Sequence, residues 1–200
     1  MLNNPSARRA AAVVIEPPAK ALLRLGVSPD AVTVTGALLA VVVAVVCFPT
    51  GRLVLGVVLL ALLSFSDLID GTMARLAGSS GPWGNFLDAT MDRLADGAIF
   101  GGLAVYGATQ SDLWLVTGAI AALVTGQVTP YAKARAEAVG ATANVGIAER
   151  AERLFIAAIA VIVGVVAVPW AIAAGMWLLA ALGVVTIIQR MVVVRRQLRP

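Results

Sequence analysis

The sequence predicts an all-α integral membrane protein with six transmembrane helices and an N-terminal interfacial amphipathic helix. Three observations lead to this fold class. The chain of 200 residues is 60% hydrophobic and only 13% charged, whereas soluble domains carry about a quarter charged residues. Apolar stretches near the ~20 residues that a bilayer core requires recur along the chain. Clusters of glycine, proline and serine separate these stretches, as expected of turns between spans.

The N-terminal segment differs from the rest because basic and apolar residues are interleaved in it. Its basic residues, which alternate with alanine, valine and leucine, are Arg8, Arg9, Lys20 and Arg24. A helix of this kind lies on an anionic membrane surface more readily than it spans a bilayer. We therefore predict an interfacial helix over residues 5–25, broken near Pro17-Pro18, within a juxtamembrane segment 1–27.

Residues 28–200 are predicted to form a six-helix bundle, which completes a single membrane domain over residues 1–200. The spans are placed at about residues 31–49, 53–77, 83–107, 112–137, 149–168 and 171–194. The first span opens with Gly26-Val27-Ser28-Pro29-Asp30, where Ser28 or Asp30 can cap the helix and proline suits its first turn. In the third span, Gly97, Gly101 and Gly102 allow neighbouring helices to approach closely.

The distribution of basic residues predicts the orientation in the membrane. Six spans place both termini on the same side, and 14 of the 15 lysines and arginines lie on or near that side, with only Arg52 opposite. The positive-inside rule makes that side cytoplasmic. We therefore expect a protein of the cytoplasmic membrane whose active site and termini face the cytoplasm.

Composition also excludes several chemistries. The chain has no histidine and one cysteine, so imidazole catalysis, histidine-ligated metals and a disulfide framework are ruled out. Cys47 lies in an apolar run and is expected to be a small packing residue. We expect no nucleic-acid partner; the expected surroundings are the lipid bilayer and anionic small molecules.

Four aspartates interrupt the apolar sequence of the second and third spans: Asp67, Asp70, Asp88 and Asp92. Helical spacings of three and four place each pair on one face. Like charges crowded in a low-dielectric setting stay ionised only when positive charge lies among them, and carboxylate-rich sites bind hard cations such as Mg²⁺. We predict a site for two divalent ions, a layout suited to in-line phosphoryl displacement. A solvated helix-end cluster is disfavoured because intramembrane acids are costly.

Small residues stand beside these aspartates. Gly71 and Ala74 leave room for a nucleotide or phosphate to approach the backbone, and Arg75 supplies a planar cation suited to phosphate. Gly84 opens the first turn of the next helix. Together these positions read Asp67-x2-Asp70-Gly71-x2-Ala74-Arg75-x8-Gly84-x3-Asp88-x3-Asp92.

This pattern resembles, at all eight positions, the signature of the CDP-alcohol phosphatidyltransferases. The start of the first span, Ser28-Pro29-Asp30-x2-Thr33, is similar to the same family, although the family usually has asparagine where Asp30 stands. The resemblance implies that Mg²⁺, with Mn²⁺ as an alternative, is held by Asp67, Asp70, Asp88 and Asp92. It implies that the nucleotide part of CDP-diacylglycerol is lined by Pro29, Thr33, Gly71, Ala74, Arg75 and Gly84.

The resemblance also implies a reaction. The hydroxyl of an alcohol attacks the lipid-linked phosphate of CDP-diacylglycerol, CMP leaves, and Asp92 serves as general base on the hydroxyl while contacting one metal ion. A homodimer is implied by the family as well. Asp96, one turn after Asp92, is expected to have a structural role beside Arg93 or the metal site, and Arg93 to be an ion-pair partner.

A second set of basic residues bears on the alcohol. Helix-end cations facing one cavity would bind a phosphomonoester. The predicted ligands are Lys133, Arg135, Arg153 and one of the pair Arg195 and Arg196. Surface anchoring is the alternative interpretation and is preferred for Arg190 and Arg199. The sequences around Lys133 and Arg153 look like those of phosphatidylinositol-phosphate synthases, which implies inositol 1-phosphate as acceptor. Phosphatidylglycerophosphate synthase, which uses glycerol 3-phosphate, is the nearest alternative.

Two other classes of function are an ion channel or transporter and a structural scaffold. Intramembrane acids are also found in Mg²⁺ channels and transporters. Here all four aspartates lie at one face, and no acidic or polar ladder continues through the remaining depth of the bilayer. A purely structural scaffold would leave the charge cluster without a cause. The enzyme is therefore the preferred hypothesis.

Overall fold

The structure is a computed structural model that describes residues 5–79, 81–147 and 149–199, with side chains described from residue 14 onwards. The predicted basic residues Arg8 and Arg9 therefore lie outside the described side chains. Within the described ranges the backbone is helical and contains no strand. The helices are α1 (Pro5–Arg24), α2 (Pro29–Cys47), α3 (Leu53–Leu63), α4 (Ser66–Leu76), α5 (Pro82–Thr109), α6 (Leu113–Ala138), α7 (Arg150–Val166) and α8 (Ala171–Leu198).

The helices fall into two compact units. The first unit contains the described residues up to Val43 together with Val58–Ala95, and the second contains Ala44–Val57 together with the described residues from Asp96 onward. In the first unit α1 packs against α4. In the second unit α8 packs against both α6 and α7.

Four helical stretches in the described part of the chain are long and apolar enough to cross a membrane: Pro29–Cys47, Leu53–Leu76, Leu113–Ala138 and Ala171–Leu198. This supports an integral membrane protein. The other two predicted spans correspond to α5 and α7, which do not meet the same criterion. α7 has only 17 residues, and α5 carries four charged side chains, Asp88, Asp92, Arg93 and Asp96. The count of six spans stays a prediction.

The start of α2 confirms the predicted helix opening. The backbone N–H of Ala31 donates a 3.2 Å hydrogen bond to Oγ of Ser28, which caps the helix, and Pro29 is the first helical residue. Proline fits there because its missing N–H has no intrahelical partner at that position. Asp30, the alternative cap, is engaged elsewhere: its Oδ2 accepts a 2.8 Å hydrogen bond from Nε1 of Trp83.

The second predicted span is divided at Ser64-Phe65 into α3 and α4. The hydroxyl of Ser64 donates to the Leu60 carbonyl at 3.0 Å and that of Ser66 to the Leu63 carbonyl at 2.5 Å. Serine hydroxyls that bond back to the preceding turn compete with the backbone ladder and bend helices. The division matters because it places Asp67 in the first turn of a new helix, where the helix dipole favours a carboxylate.

The predicted break of the N-terminal helix near Pro17-Pro18 is wrong. α1 runs without interruption from Pro5 to Arg24, with both prolines inside it. Each proline removes one helical hydrogen bond. Both proline side chains are exposed, so the carbonyls one turn earlier can be hydrated and the helix can continue. Ala19 is fully buried, and Lys20 pairs with Glu16 at 2.7 Å.

One face of α8 forms the centre of the second unit. Its buried residues alternate at spacings of four and three and are Ile172, Met176, Leu179, Gly183, Thr186 and Arg190. Small residues on this face allow close packing, since a Cβ on Gly183 would lie 2.6 Å from Thr125 of α6. Of the glycines predicted to allow close approach, only Gly102 does so, because its Cβ would lie 2.8 Å from the Ala44 carbonyl.

Candidate active site

All eight motif positions lie in the first unit, on two helices. α4 carries Asp67, Asp70, Gly71, Ala74 and Arg75, and α5 carries Gly84, Asp88 and Asp92. The two helices are joined by a short turn in which Gly78 has a φ of 64°. Such a left-handed backbone is readily adopted by glycine, and it lets the chain turn sharply between the two halves of the motif.

Asp70 is the buried carboxylate of the set, with 6% of its surface exposed. Its Oδ2 accepts a 2.5 Å hydrogen bond from Oγ1 of Thr33 on α2. The same hydroxyl lies 3.2 Å from the Pro29 carbonyl, one turn earlier in α2. A buried carboxylate needs hydrogen-bond donors, and the Thr33 hydroxyl is one that helps to position Oδ2 of Asp70.

The other aspartates are more accessible. Asp67 and Asp88 are exposed, and their charges act on Asp70 through space. Asp92 is half-buried, and its Oδ2 lies 3.9 Å from Nη2 of Arg93. The expectation that Arg93 is an ion-pair partner is consistent with this contact. Negative charge from two helices therefore converges on the buried carboxylate of Asp70.

These side chains have the chemistry of a divalent-metal site. Carboxylate and hydroxyl oxygens are the donors that Mg²⁺ and Mn²⁺ prefer. In their present positions, however, no three acidic, cysteine or histidine side chains of the described chain come together closely enough to hold one ion. The donor set fits a divalent cation, and coordination of one would require the exposed aspartates to turn towards Asp70. The assignment of all four as ligands stays a prediction.

Arg75 is positioned beside Gly71. Its Nη2 donates a 2.8 Å hydrogen bond to Oγ1 of Thr72, and a Cβ on Gly71 would lie 3.8 Å from its Nη1. A Cβ on Gly84 would meet no described atom within 4 Å. The guanidinium is therefore oriented over a backbone that carries no side chain, which suits a bound phosphate.

Sequence reasoning missed a link between the starts of α2 and α5. Trp83 donates to Asp30 at 2.8 Å, and its ring lies 5.9 Å from the ring of Phe86. Asp30 is the position that departs from the usual asparagine of the family motif. The carboxylate acts here as an acceptor for an indole, and this pairing leaves no sequence signal because 53 residues separate the partners.

In the second unit Asp96 joins two arginines of α7. Its Oδ2 accepts a 2.8 Å hydrogen bond from Nη2 of Arg153, and its Oδ1 accepts one of 3.2 Å from Nε of Arg150. Asp96 and Arg153 are 2% and 4% exposed. These two contacts with α7 support the predicted structural role of Asp96. One buried carboxylate therefore holds two guanidiniums of α7.

The prediction that Arg190 anchors the protein at the membrane surface is wrong. Arg190 is only 6% exposed, and its Nη1 donates to the Thr129 carbonyl at 2.5 Å and its Nε to the Val145 carbonyl at 2.9 Å. Its position on the alternating buried face of α8 is a signal that could have identified it from sequence. Glu149 is an acidic group whose charge acts on it.

The remaining predicted phosphate ligands lie at helix ends of the second unit. Lys133 is half-buried and Arg135 is exposed near the end of α6. Arg195 and Arg196 are both exposed near the end of α8. Arg153 and Arg190 are brought to carbonyls of α6 that are three residues apart, Gly126 and Thr129. The buried arginines therefore lie against α6, where Arg153 of α7 and Arg190 of α8 contact backbone carbonyls. The predicted ligands at the end of α8 are exposed instead.

The CDP-alcohol phosphatidyltransferase family matches residues 26–195 of the chain. This chain belongs to that family. The membership predicted from the eight-position motif is confirmed, and the chain is an enzyme of this family.

Curated relatives show which members of the family this chain resembles. The phosphatidylinositol phosphate synthase of Cutibacterium acnes is 46% identical over 195 residues, which cover 92% of this chain and 94% of the relative. That of Mycobacteroides abscessus is 44% identical over 190 residues, which cover 94% of this chain and 86% of the relative. The chain thus resembles these synthases over most of their length.

Solved structures show the same likeness. The crystal structure of Mycobacterium tuberculosis phosphatidylinositol phosphate synthase with CDP-DAG bound has a TM-score of 0.88 at 41% identity, covering 92% of this chain and 94% of that one. A crystal structure of that enzyme in complex with manganese and citrate has a TM-score of 0.86 at 42% identity, covering 90% of this chain and 88% of that one.

Proposed function

We propose that this enzyme transfers the phosphatidyl group of CDP-diacylglycerol to inositol 1-phosphate, giving phosphatidylinositol phosphate and CMP. The observation that carries this proposal is the complete motif, present on α4 and α5 with Asp70 buried and held by Thr33. Relatives named phosphatidylinositol phosphate synthase at 46% and 44% identity support this acceptor. The related structure with CDP-DAG bound supports the donor.

The enzyme is proposed to require a divalent cation, with Mg²⁺ preferred, Mn²⁺ as an alternative, and two ions per site. The related complex with manganese supports a divalent metal. The residues that would hold it are Asp67, Asp70, Asp88 and Asp92. A bound cation would neutralise the diphosphate and stabilise the leaving phosphate. Within the protein, Thr33 keeps a carboxylate oxygen of Asp70 fixed, which lowers the reorganisation that ligand binding demands.

The nucleotide end of the donor is proposed to lie along the small residues of the motif. Gly71, Ala74 and Gly84 expose backbone to the ligand, and Arg75, oriented by Thr72, binds phosphate oxygens. Pro29 and Thr33 would border the same site from α2. The contact of Thr33 with Asp70 makes positioning of that carboxylate part of its role.

Asp92 is proposed as the general base. A carboxylate can accept the proton of the acceptor hydroxyl as its oxygen forms a bond to the lipid-linked phosphorus. The bond between that phosphorus and the oxygen of CMP breaks, and CMP leaves with the electron pair. Asp92 is half-buried and near Arg93, so it is accessible to a substrate while remaining close to positive charge.

The acceptor phosphate is proposed to bind in the second unit, to residues drawn from Lys133, Arg135, Arg153, Arg195 and Arg196. Of these residues, Arg153 is favoured as a phosphate ligand because it is buried. Arg190, which was predicted to be a surface anchor, becomes a further candidate because it is buried as well. Arg150 and Arg153 are guanidiniums held on one buried carboxylate, that of Asp96. Guanidiniums suit the binding of phosphate oxygens, so a phosphomonoester would be bound there.

Orientation and assembly belong to the same proposal. We place six spans in the cytoplasmic membrane, with both termini and the active site facing the cytoplasm, supported by the distribution of basic residues. α5 and α7 would supply the two spans that length and composition alone do not identify. A homodimer is proposed from the family resemblance.

The deciding experiment compares acceptors. Purified protein is incubated with CDP-diacylglycerol and Mg²⁺, and CMP release is measured with inositol 1-phosphate, inositol or glycerol 3-phosphate. We expect release with inositol 1-phosphate and a lipid product that carries its phosphate. Preference for glycerol 3-phosphate would instead identify a phosphatidylglycerophosphate synthase. Mg²⁺ flux in sealed vesicles without any CMP release would favour a transporter and contradict the enzyme.

A further inference from the structure

A proline inside α6 changes the hydrogen bonding of that helix. Pro130 has no backbone N–H, so it cannot donate to the carbonyl of Gly126 one turn earlier. That carbonyl accepts a 2.6 Å hydrogen bond from Nη1 of Arg153 on α7. The carbonyl oxygen of Gly126 in α6 is thus left to accept a hydrogen bond from a side chain of α7.

The local residue types are matched to this contact. A Cβ on Gly126 would lie 2.9 Å from Nη1 and 3.4 Å from Cζ of Arg153, which is too close for the present position of the guanidinium. Glycine therefore permits the approach, and Pro130 removes the competing donor. Both features favour the contact between the Arg153 guanidinium and the Gly126 carbonyl.

Asp96 holds the same guanidinium at a second point. Its Oδ2 lies 2.8 Å from Nη2 of Arg153, and both side chains are almost fully buried. Nη1 and Nη2 are the two ends of a rigid planar group. With one end on the Gly126 carbonyl and the other on Asp96, the plane and the position of the guanidinium are both determined.

We propose that Pro130 and Asp96 are positioning residues for acceptor recognition, because together they hold Arg153 in the orientation that binds the acceptor phosphate. The inference rests on the proposed function, since it deepens the role given there to Arg153. A preorganised guanidinium binds phosphate without losing further side-chain freedom. Loosening it should therefore weaken acceptor binding and leave donor binding unchanged.

The test uses Pro130→Ala, which restores a backbone donor to Gly126, and Asp96→Asn, which removes the charge and keeps the shape. KM for inositol 1-phosphate is expected to rise about threefold to tenfold in Pro130→Ala and about tenfold or more in Asp96→Asn. KM for CDP-diacylglycerol and kcat should stay within about twofold of wild type. Asp96→Glu, which retains the carboxylate, should recover part of the loss.

Two control variants and one binding measurement complete the experiment. Pro18→Ala removes a helix-interior proline of α1, and Gly101→Ala adds a methyl group where no described atom lies within 4 Å. Both should behave as wild type. Thermal stabilisation by inositol 1-phosphate should decrease in Pro130→Ala, while the midpoint without ligand changes little. This second readout separates loss of acceptor binding from general loosening.

The outcomes are distinguishable. An unchanged KM for inositol 1-phosphate in both variants would overturn the positioning role. Equal loss for both substrates together with a lowered unliganded midpoint would also overturn it, since a purely structural role predicts that result. A wild-type protein that neither releases CMP with inositol 1-phosphate nor is stabilised by it would contradict the proposed function itself.

Discussion

Thr33 and Asp70 are joined by a 2.5 Å hydrogen bond between Oγ1 and Oδ2, across 37 residues of sequence. The bond connects the start of the second turn of α2 to the buried carboxylate of the motif. It gives Thr33 a role in addition to the nucleotide contact that the family resemblance implies. The least exposed aspartate of the motif therefore has one of its oxygens held by a hydroxyl of another helix.

Removing this hydroxyl should impair catalysis without unfolding the protein. Thr33→Val is nearly isosteric, and it deprives Asp70 of its side-chain donor, so kcat/KM for CDP-diacylglycerol should decrease about tenfold or more. Thr33→Ser should recover much of the activity. Thr35→Val, at an exposed position of the same helix, is the control. Wild-type kinetics for Thr33→Val would show that Asp70 does not need this bond.

Asp92→Asn should remove turnover. The amide keeps the size of the side chain and cannot accept the proton, so CMP release should decrease by about 10²–10⁴-fold. The thermal midpoint and Mn²⁺ binding, followed by electron paramagnetic resonance, should remain close to wild type. Normal CMP release from this variant would contradict the assignment of Asp92 as the base.

Removal of divalent cations should abolish activity. EDTA is expected to stop CMP release, and added Mg²⁺ or Mn²⁺ should restore it. Asp67→Asn and Asp88→Asn should weaken Mn²⁺ binding, because each removes one carboxylate charge near Asp70. Activity that persists in EDTA would eliminate the metal-dependent reaction.

Arg153→Lys should separate the two substrates. Lysine keeps the charge but lacks the planar group that reaches Asp96 and the Gly126 carbonyl together. KM for inositol 1-phosphate should increase by about tenfold, and KM for CDP-diacylglycerol should change little. Equal effects on both constants would remove Arg153 from the acceptor site.

Arg190 should matter for stability where Arg199 does not. Arg190→Gln loses hydrogen bonds to the carbonyl groups of Thr129 and Val145, which should lower the free energy of unfolding by about 1–3 kcal/mol. Arg199 is exposed after the end of α8, so Arg199→Gln should leave stability unchanged. Thermal midpoints in the same detergent compare the two variants. Equal midpoints would return Arg190 to the group of surface anchors.

Much of the fold followed from local patterns. Apolar length predicted the helices and turn residues predicted where they end, and the Ser28-Pro29 opening of α2 was confirmed at the level of its cap. The division at Ser64-Phe65 was not foreseen, because serine is compatible with a continuing helix and only the hydroxyl bonds reveal the break. The continuity of α1 through Pro17 and Pro18 depends on exposure, which composition does not report.

The sequence by itself determined the family and the candidate chemistry, because spacings along a helix place carboxylates and small residues in a pattern that is local and specific. Only the tertiary structure decided which groups are held and by what. Thr33 with Asp70, Asp96 with Arg153, and Arg190 with Thr129 are 37, 57 and 61 residues apart. Such pairs depend on how helices pack, so spacing along a helix can indicate that an arginine is buried, but only the packing shows which groups it contacts.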